Sequence, residues 1–271
     1  MPLPPSPCPL PRDLAEPLAH ATTRLGPFGR HIVWWPDVSS TNDVAASLAE
    51  GGAAEGLVVA ANAQSAGRGR QGRVWASPPG AGLYVSVVLR PDQHVVPMLT
   101  IAAGVAVAQG IQAATGLSSQ LKWPNDVYVG PRKVAGVLAE ASANAGGGPA
   151  IRYVVLGFGI NVMPAAYPPD IAPLATCLER ELGRAVDRGL LLAECLSALA
   201  RRYTELIHGR LAEVIEAWRG RATTTLGRKV RWEATGVPVE GIAESIDETG
   251  ALVVRTRSGT IRVTSGEVVW M

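Results

Sequence analysis

The chain has 271 residues with 47% hydrophobic content and 30 glycines, which is enough for one sizeable core and a small second domain. Its net charge of +2 excludes a uniformly basic surface of the kind that binds nucleic acid or acidic membranes. Three cysteines show neither close pairing nor metal-ligand spacing and predict reduced thiols in a cytoplasmic protein: Cys8, Cys177 and Cys195.

The N-terminal segment is rich in proline. Its first eleven residues hold six prolines and lack the basic and apolar regions of a signal peptide, so we expect residues 1–12 to form a disordered tail. Residues 12–26 have the pattern of a short helix, which Pro17 is expected to break. The apolar sequence HIVWW, from His31, then predicts a buried strand.

A helix with a polar beginning follows this strand. The sequence SSTN, residues 39–42, offers hydroxyl and amide side chains that can cap a helix, and Gly51 with Gly52 ends its apolar stripe. The segments GLVVAANA and GLYVSVVLR are rich in β-branched residues and predict two strands. The stretch SAGRGRQGR, residues 65–73, therefore lies on a loop between two strands.

This loop concentrates positive charge. It holds three arginines and three glycines in nine residues, with no carboxylate among them. Glycine lets backbone amides approach an anion, and guanidinium groups pair well with phosphate or carboxylate. The pattern fits a phosphate-binding loop that stays mobile until a ligand neutralises it, and equally a solvated loop that binds RNA without sequence preference.

The middle of the chain predicts a buried helix and a β-hairpin. Residues 97–116 are apolar and rich in alanine, and their most apolar stretch is shorter than a membrane span. The sequence KWPND, residues 122–126, offers polar groups at a strand boundary. In KVAGVLAEA, Lys133 lies at the mouth of an apolar strand, where its charge needs an anionic partner. In the partner strand IRYVVLGFGINV, Gly157 and Gly159 would let a flat group lie against the backbone.

All these polar and glycine-rich segments fall at strand ends of one predicted sheet, so a single pocket explains them together. Helices over residues 190–209 and 211–221 then close a larger domain. From Gly227 the pattern changes to five short strands separated by turns, which is typical of a small SH3-like barrel. Residues 228–271 carry six basic and six acidic side chains, a balance that argues against nucleic-acid binding by this domain.

The motifs SSTN, QSAGRGRQGRVW, KWPND, KVAGVLAE and GFGIN, in this order and at these separations, resemble the biotin protein ligase family. The resemblance covers residues 30–271. It implies an α+β fold: a biotin- and ATP-binding catalytic domain over residues 13–225, with a mixed β-sheet and helices as in class II synthetases and lipoate ligases, and an SH3-like barrel over residues 226–271. About 30 residues precede the first strand, too few for a winged helix-turn-helix, so the form without a DNA-binding domain is expected.

The resemblance implies a reaction in two steps. The carboxylate of biotin attacks the α-phosphate of ATP, with Mg²⁺ present, to give biotinyl-5′-AMP and pyrophosphate. A lysine of a biotin carboxyl carrier domain, part of an acyl-CoA or pyruvate carboxylase, then takes the biotinyl group. The implied partners are therefore biotin, ATP and this carrier domain, with neither nucleic acid nor membrane among them.

The resemblance also assigns roles to individual residues. The implied biotin-binding set is Ser40, Thr41, Asn42, Gln64, Gly67, Arg68, Gly136, Gly157 and Gly159. The implied ATP- and adenylate-binding set is Arg68, Gly69, Arg70, Arg73, Trp75, Asn125, Lys133 and Asn161. Lys133, Arg68 and Arg70 are the implied catalytic residues, and Asp126 would position the acceptor lysine. The metal ligands stay unassigned, since Mg²⁺ would be held mainly through the ATP phosphates.

Two other functions compete with this interpretation. A lipoate protein ligase would share the architecture and the adenylation chemistry, although its arginine and glycine motif differs. An RNA-binding protein would use the arginines of residues 68–73 as a basic patch, but it would leave KWPND and KVAGVL without a purpose.

Overall fold

The computed structural model describes residues 6–124, 126–143, 151–165, 167–234, 237–264, 266 and 268–271. Its larger sheet has seven strands: β1 Ile32–Trp35, β2 Val58–Ala61, β3 Gly82–Leu89, β4 Gln120–Lys122, β5 Asp126–Val129, β6 Arg132–Ala143 and β7 Ile151–Asn161. Their order across the sheet is β1-β2-β3-β7-β6-β5-β4. Strands β1 and β2 run parallel and the other neighbours antiparallel, which confirms the predicted mixed sheet and the β6–β7 hairpin. The expected glycine-rich connection falls largely on residues 144–150, outside the described residues.

Six helices occur in the described residues: α1 Arg12–His20, α2 Thr41–Glu50, α3 Leu99–Thr115, α4 Leu178–Leu182, α5 Arg188–Ile207 and α6 Leu211–Arg219. Helix α4 is the one that the sequence pattern did not predict. The stretch Gln93–Thr115, which includes α3, is long and apolar enough to cross a membrane, but 72% of its most apolar window is buried inside the protein. Helix α3 is therefore a core helix, as expected.

Helices α3 and α5 pack closely on one face of the sheet. A Cβ atom added at Gly110 of α3 would lie 2.5 Å from Sγ of Cys195 in α5, so glycine sets the distance between the two helices. The buried residues between them and the sheet form the main core. A second, smaller core lies on the other face, under α2.

The structure corrects two expectations for the N-terminal segment. Pro17 does not break α1, which continues to His20. The backbone of Gly189 packs so closely on the Asp13 carbonyl, four residues before Pro17, that a Cβ there would lie 1.9 Å from the oxygen. The described part of the expected disordered tail is also held: the amide of Cys8 donates to the carbonyl of Trp34 at 2.9 Å, on the edge of the sheet. Residues 1–5 lie outside the described residues.

The C-terminal part is a five-stranded antiparallel sheet. Its strands are β8 Lys229–Ala234, β9 Val237–Ile246, β10 Leu252–Thr256, β11 Gly259–Val263 and β12 Val268–Trp270, in the order β11-β10-β9-β8-β12. All five strands match the prediction. Among the described residues no pairing joins β11 to β12, so hydrogen bonds do not close the predicted SH3-like barrel.

Candidate active site

The period-2 alternation of β7 builds the floor of a groove. Val154, Leu156, Phe158 and Ile160 point into the main core, and Tyr153 and Val155 point to the other face with α2. Gly157 and Gly159 continue this second row, Gly157 beside Asn42 at the beginning of α2 and Gly159 beside Trp75. In register, Ser86 pairs with Gly157 from β3 and Gly136 pairs with Gly159 from β6. The sheet face therefore opens into a groove where it lacks side chains.

Side chains of the protein lie on this glycine floor. A Cβ at Gly157 would lie 2.2 Å from Oδ1 of Asn42, and one at Gly159 would lie 2.4 Å from Nε1 of Trp75. A Cβ at Gly136 would lie 3.1 Å from the Trp75 ring and 3.2 Å from Nζ of Lys133. The flat group that the sequence predicted against the backbone is thus the indole of Trp75. Its Nε1 is buried and has no hydrogen-bond partner within the described residues.

The beginning of α2 forms the polar end of the groove. Ser40 occupies the N-cap position but its side chain makes no capping hydrogen bond, so the predicted capping role is wrong. The side chains of Ser40, Thr41 and Asn42 are instead buried. The backbone N and Oγ1 of Thr41 donate to Oε1 of Gln64 at 2.8 and 3.1 Å, and Nε2 of Gln64 donates to Oγ of Ser77 at 2.8 Å. These contacts bring together the predicted biotin-binding residues of two segments.

The arginine loop folds into a tight hairpin. The amide of Gly69 donates to the Arg73 carbonyl at 2.7 Å, and the amide of Trp75 donates to the Gly67 carbonyl at 2.9 Å. A Cβ at Gly67 would lie 2.5 Å from the carbonyl oxygen of Trp75, which requires glycine there. The structure thus places the loop in a compact, hydrogen-bonded conformation.

This loop conformation is stabilised because Arg68 has carboxylate partners from outside its own segment. Its Nη1 pairs with Oδ1 of Asp43 in α2, and its Nη2 donates to Oε2 of Glu140 in β6 at 2.8 Å. Burial lowers the pKa of Arg68, but the hydrogen bonds to Glu140 and Asp43 outweigh it and leave that pKa raised. The Arg68 side chain is thus neutralised at the groove, although the loop sequence holds no carboxylate.

Arg70 and Arg73 have different surroundings. Arg70 is half-buried, and this burial lowers the pKa of its guanidinium, against the attraction of Asp126 and with a further lowering from Arg73. It lines a cavity of about 420 Å³ together with Trp123, Pro124 and parts of the C-terminal sheet. Arg73 is exposed. Arg70 is therefore placed where a bound anion would offset its burial.

Lys133 has the anionic partner that its position demands. Its Nζ lies 2.6 Å from Oδ1 of Asp126 and 5.3 Å from the centre of the Trp75 ring. The backbone of Lys133 is fixed on its other side, since its amide donates to the Leu174 carbonyl and its carbonyl accepts from Thr176. Lys133, Asp126 and Trp75, predicted from three separate motifs, therefore meet at one end of the groove.

The two predicted asparagines are not both placed. Asn161 is buried and its Nδ2 donates to the carbonyl of Thr176 at 3.0 Å, so it holds the segment that flanks Lys133. Asn125 lies outside the described residues. Sequence reasoning missed Asp43, Ser77, Ser86 and Glu140 as site residues. The alternation along β3 and β6 could have found Ser86 and Glu140, because both face the groove side of the sheet.

The first two residues of KWPND connect the groove to the C-terminal sheet. The Nε1 of Trp123 donates to the carbonyl of Gly250 at 2.8 Å in a buried contact. Nζ of Lys122 lies 5.9 Å from the centre of the Trp270 ring. Sequence reasoning did not predict these contacts, which bring the turn at Gly250 to the cavity that Arg70 lines.

We expect Trp123→Phe to lower the free energy of unfolding by about 1–3 kcal/mol, because it leaves the buried Gly250 carbonyl without its donor. Urea unfolding followed by circular dichroism measures the change. Trp270→Phe is the matched control: it removes the same ring, but Nε1 of Trp270 has no hydrogen-bond partner within the described residues. Equal losses in both variants would contradict a role for the Gly250 bond.

We expect trypsin to cut the ligand-free protein after exposed Arg73 faster than after Arg68, whose guanidinium is paired. Biotin with MgATP is expected to suppress the cleavage at Arg73, because bound anions stabilise the closed loop. Mass spectrometry of the fragments over time measures the rates, with cleavage after Arg257 in an exposed turn as the control that ligands leave unchanged. Loop cleavage at one rate with and without ligands would count against the prediction.

Known proteins share this fold and these motifs. The model of the biotin/lipoate A/B protein ligase family matches residues 34–161, and that of the biotin protein ligase C-terminal domain matches residues 225–271. The biotin–[acetyl-CoA-carboxylase] ligase of Mycobacterium tuberculosis is 38% identical over 241 residues, which cover 85% of each chain. The bifunctional ligase/repressor BirA of Bacillus subtilis is 34% identical over 245 residues, which cover 89% of this chain and 74% of BirA. The structure of the Aquifex aeolicus biotin protein ligase in complex with biotin and ATP matches with a TM-score of 0.77 and 28% identity, covering 89% of this chain and 99% of that one.

The mixed sheet and its groove define a protein of the biotin and lipoate ligase class, which the first family model spans. The match of the C-terminal sheet to the biotin protein ligase C-terminal domain favours the biotin ligases over the lipoate ligases. The chain belongs to the biotin protein ligase family. The family and the fold class predicted from the sequence are confirmed, and the lipoate alternative is not favoured.

Proposed function

We propose that this protein activates biotin with ATP to biotinyl-5′-AMP and transfers the biotinyl group to a lysine of a biotin carboxyl carrier domain. The observation that carries the proposal is the groove, in which a buried polar end, a glycine floor, an arginine loop and the Lys133–Asp126 pair share one sheet face. The names of the relatives as biotin ligases support it, as does the relative solved with biotin and ATP.

The groove suits the two ends of biotin. A ureido group needs acceptors for its N–H groups and a donor for its carbonyl, which the hydroxyls and amide of Ser40, Thr41 and Gln64 can supply. The glycine floor gives the ring system room against the backbone once Trp75 moves off Gly136 and Gly159. The biotin carboxylate then points toward Lys133 and the arginine loop.

Adenylation at this groove requires positioning and charge neutralisation. An oxygen of the biotin carboxylate bonds to the α-phosphorus, and the bond from that phosphorus to the pyrophosphate oxygen breaks. The attacking and leaving groups both belong to the substrates, so the protein needs cations and a dry pocket more than a nucleophile. In this proposal Lys133 and Arg70 neutralise the charge, and adenine stacks on the ring of Trp75.

Mg²⁺ is implied by the use of ATP. Among the described residues no cluster of three or more His, Cys, Asp or Glu side chains could hold a metal ion. Proteins commonly hold Mg²⁺ through one or two carboxylates, substrate phosphates and water. Asp126 is the carboxylate closest to Lys133 and could serve there. When bound, the ion would supply charge neutralisation on the phosphates.

In the second step the acceptor amine attacks the acyl carbon of the adenylate, AMP leaves, and the amine loses a proton. Asp126, which we propose as the residue that positions the acceptor lysine, already holds one ammonium group, that of Lys133, at 2.6 Å. A second ammonium group could approach the same carboxylate. Asp126 would then orient the amine beside the adenylate.

A cytoplasmic location is part of the proposal. The three cysteines are free, which agrees with predicted reduced thiols. Burial raises the pKa of the Cys195 thiol, so this side chain behaves as an inert core residue.

The test is incubation of the protein with biotin, MgATP and a purified biotin carboxyl carrier domain, followed by mass spectrometry. We expect the carrier to gain the mass of one biotin less one water. A parallel arm offers lipoate with its own carrier domain, and another measures binding of single-stranded RNA. Transfer of lipoate, or RNA binding without any transfer, would overturn the proposal.

A further inference from the structure

A circuit of hydrogen bonds, completed by the backbone between Gln64 and Arg68, joins the polar end of the groove to the arginine loop, and Glu140 is where it closes. A single oxygen of Glu140, Oε2, accepts from Nδ2 of Asn42 at 2.5 Å and from Nη2 of Arg68 at 2.8 Å. From Asn42 the circuit passes through Ser86 and Thr41 to Gln64, which lies on the same loop as Arg68. Glu140 therefore contacts both branches of the site.

The charge of Glu140 sets the direction of these bonds. An ionised carboxylate only accepts, so the Asn42 amide must turn its Nδ2 toward Glu140 and its Oδ1 toward Ser86. The Ser86 hydroxyl lies 2.6 Å from that Oδ1 and 2.8 Å from Oγ1 of Thr41, and it has one proton to give. Because Oδ1 of Asn42 accepts this hydrogen, the Ser86 hydroxyl does not donate to Thr41, whose own hydroxyl donates to Oε1 of Gln64. Thr41 thus keeps an oxygen lone pair for a ligand N–H.

Because the residues of the circuit are buried, the direction of the bond to Glu140 fixes the direction of the other hydrogen bonds. Ser86 is fully buried, and Thr41 and Asn42 are at most 5% exposed, so water cannot replace a lost partner. The Asn42 amide also lies directly against the backbone of Gly157, where a side chain would collide with its Oδ1. The circuit reaches the surface at Glu140, whose side chain is 40% exposed.

The second branch ties down the loop. Arg68 pairs with Glu140 in β6 and with Asp43 in α2, so one guanidinium fastens the loop to two elements of the sheet domain. Gln64 fastens the beginning of the same loop to Thr41. Glu140 therefore couples the orientation of the polar end to the position of the loop.

We propose that Glu140 is a positioning residue for biotin, which orients Asn42, Ser86 and Thr41 for the ureido group and holds Arg68 as the wall of that pocket. The inference rests on the proposed function. It also gives Arg68 a structural task in the biotin pocket, distinct from the phosphate contacts expected of Arg70.

The test is Glu140→Gln, which keeps the shape and removes the charge. A glutamine oxygen in the place of Oε2 carries no charge, so it weakens the pair with Arg68, and the amide nitrogen beside it can only donate, so Asn42 is no longer held in one orientation. We expect the KM for biotin to rise about 10- to 100-fold, with kcat and the KM for ATP changed less than about threefold. Calorimetry of biotin binding should give the same loss, and trypsin should cut the ligand-free loop faster. If Glu140 only stabilised the fold, the substitution would change the KM for biotin and the KM for ATP alike.

Glu50→Gln is the matched control. Glu50 also accepts from an arginine and a neutral donor, Arg152 at 2.7 Å and Tyr153 at 2.8 Å, and it is 46% exposed. It lies at the far end of α2 from the groove, so we expect wild-type biotin binding. If the wild-type protein binds no biotin, the proposed function fails. If it binds biotin and Glu140→Gln binds equally well, only the role of Glu140 is overturned.

If Glu140→Gln does not fold, Asp43→Asn provides a second test of the same inference. This variant removes one of the two loop contacts and leaves Glu140 to orient Asn42. We expect trypsin to cut the loop of Asp43→Asn faster than the wild-type loop. We expect its loss of biotin affinity to be smaller than the roughly 10- to 100-fold loss expected for Glu140→Gln. Cleavage at the wild-type rate would contradict the tether.

Discussion

Lys133→Ala is expected to lower the rate of adenylate formation by about 10²- to 10³-fold, the typical effect of removing one preorganised donor from a developing charge. The Nζ of Lys133 lies at the end of the glycine floor, and in the proposed reaction the biotin carboxylate and the α-phosphate meet there as two anions. The cation is needed chiefly in that encounter. Pyrophosphate release in the presence of biotin and MgATP measures the rate.

The fold should survive this substitution. The Lys133–Asp126 pair is partly exposed, 28% and 24%, and pairs of this kind contribute at most about 1 kcal/mol to stability. Lys229→Ala is a matched control, because Lys229 also pairs with a carboxylate at 2.6 Å, that of Glu240 on the C-terminal sheet. Wild-type pyrophosphate release by Lys133→Ala, or an equal loss in Lys229→Ala, would remove Lys133 from the reaction.

The strands and the groove floor could be predicted because their signals are local. Alternating apolar residues in β7 mark two faces, and the glycines at 157 and 159 stand in the row that faces the groove. The same locality explains the five short strands after residue 227. The wrong prediction at Pro17 also comes from local reasoning. The rule that proline breaks a helix takes no account of Gly189, which is distant in sequence but packs on the Asp13 carbonyl that Pro17 leaves without its helical hydrogen bond.

The partners of the charged residues could not be predicted, because they come from distant parts of the chain. Arg68 meets Glu140, which lies 72 residues away, and Asp43, which lies 25 residues away. Read alone, the loop 65–73 suggests repulsion between uncompensated arginines, and only the packing of α2 and β6 beside the loop brings the carboxylates to it. The contact of Trp123 with Gly250 spans 127 residues and escapes sequence reasoning for the same reason.

Arg70→Gly separates the formation of the adenylate from its retention. Arg70 is half-buried between the loop and the C-terminal sheet, where an anion would offset the cost of burying its charge. We propose that it closes the loop over biotinyl-5′-AMP. The variant should still make the adenylate within about tenfold of the wild-type rate, because Lys133 and the Mg²⁺ that accompanies ATP remain to neutralise the phosphates.

A loop without Arg70 should release the activated acid into water. The mixed anhydride then acylates exposed lysines of any protein, so we expect Arg70→Gly to biotinylate serum albumin, which the wild-type enzyme leaves unlabelled. The assay incubates each enzyme with biotin, MgATP and albumin and probes the albumin for biotin. Arg73→Gly is the control on the same loop, since Arg73 is exposed and lies outside the cavity of Arg70. If Arg70→Gly makes the adenylate and albumin stays unlabelled, or if Arg73→Gly labels albumin equally, Arg70 does not retain the intermediate.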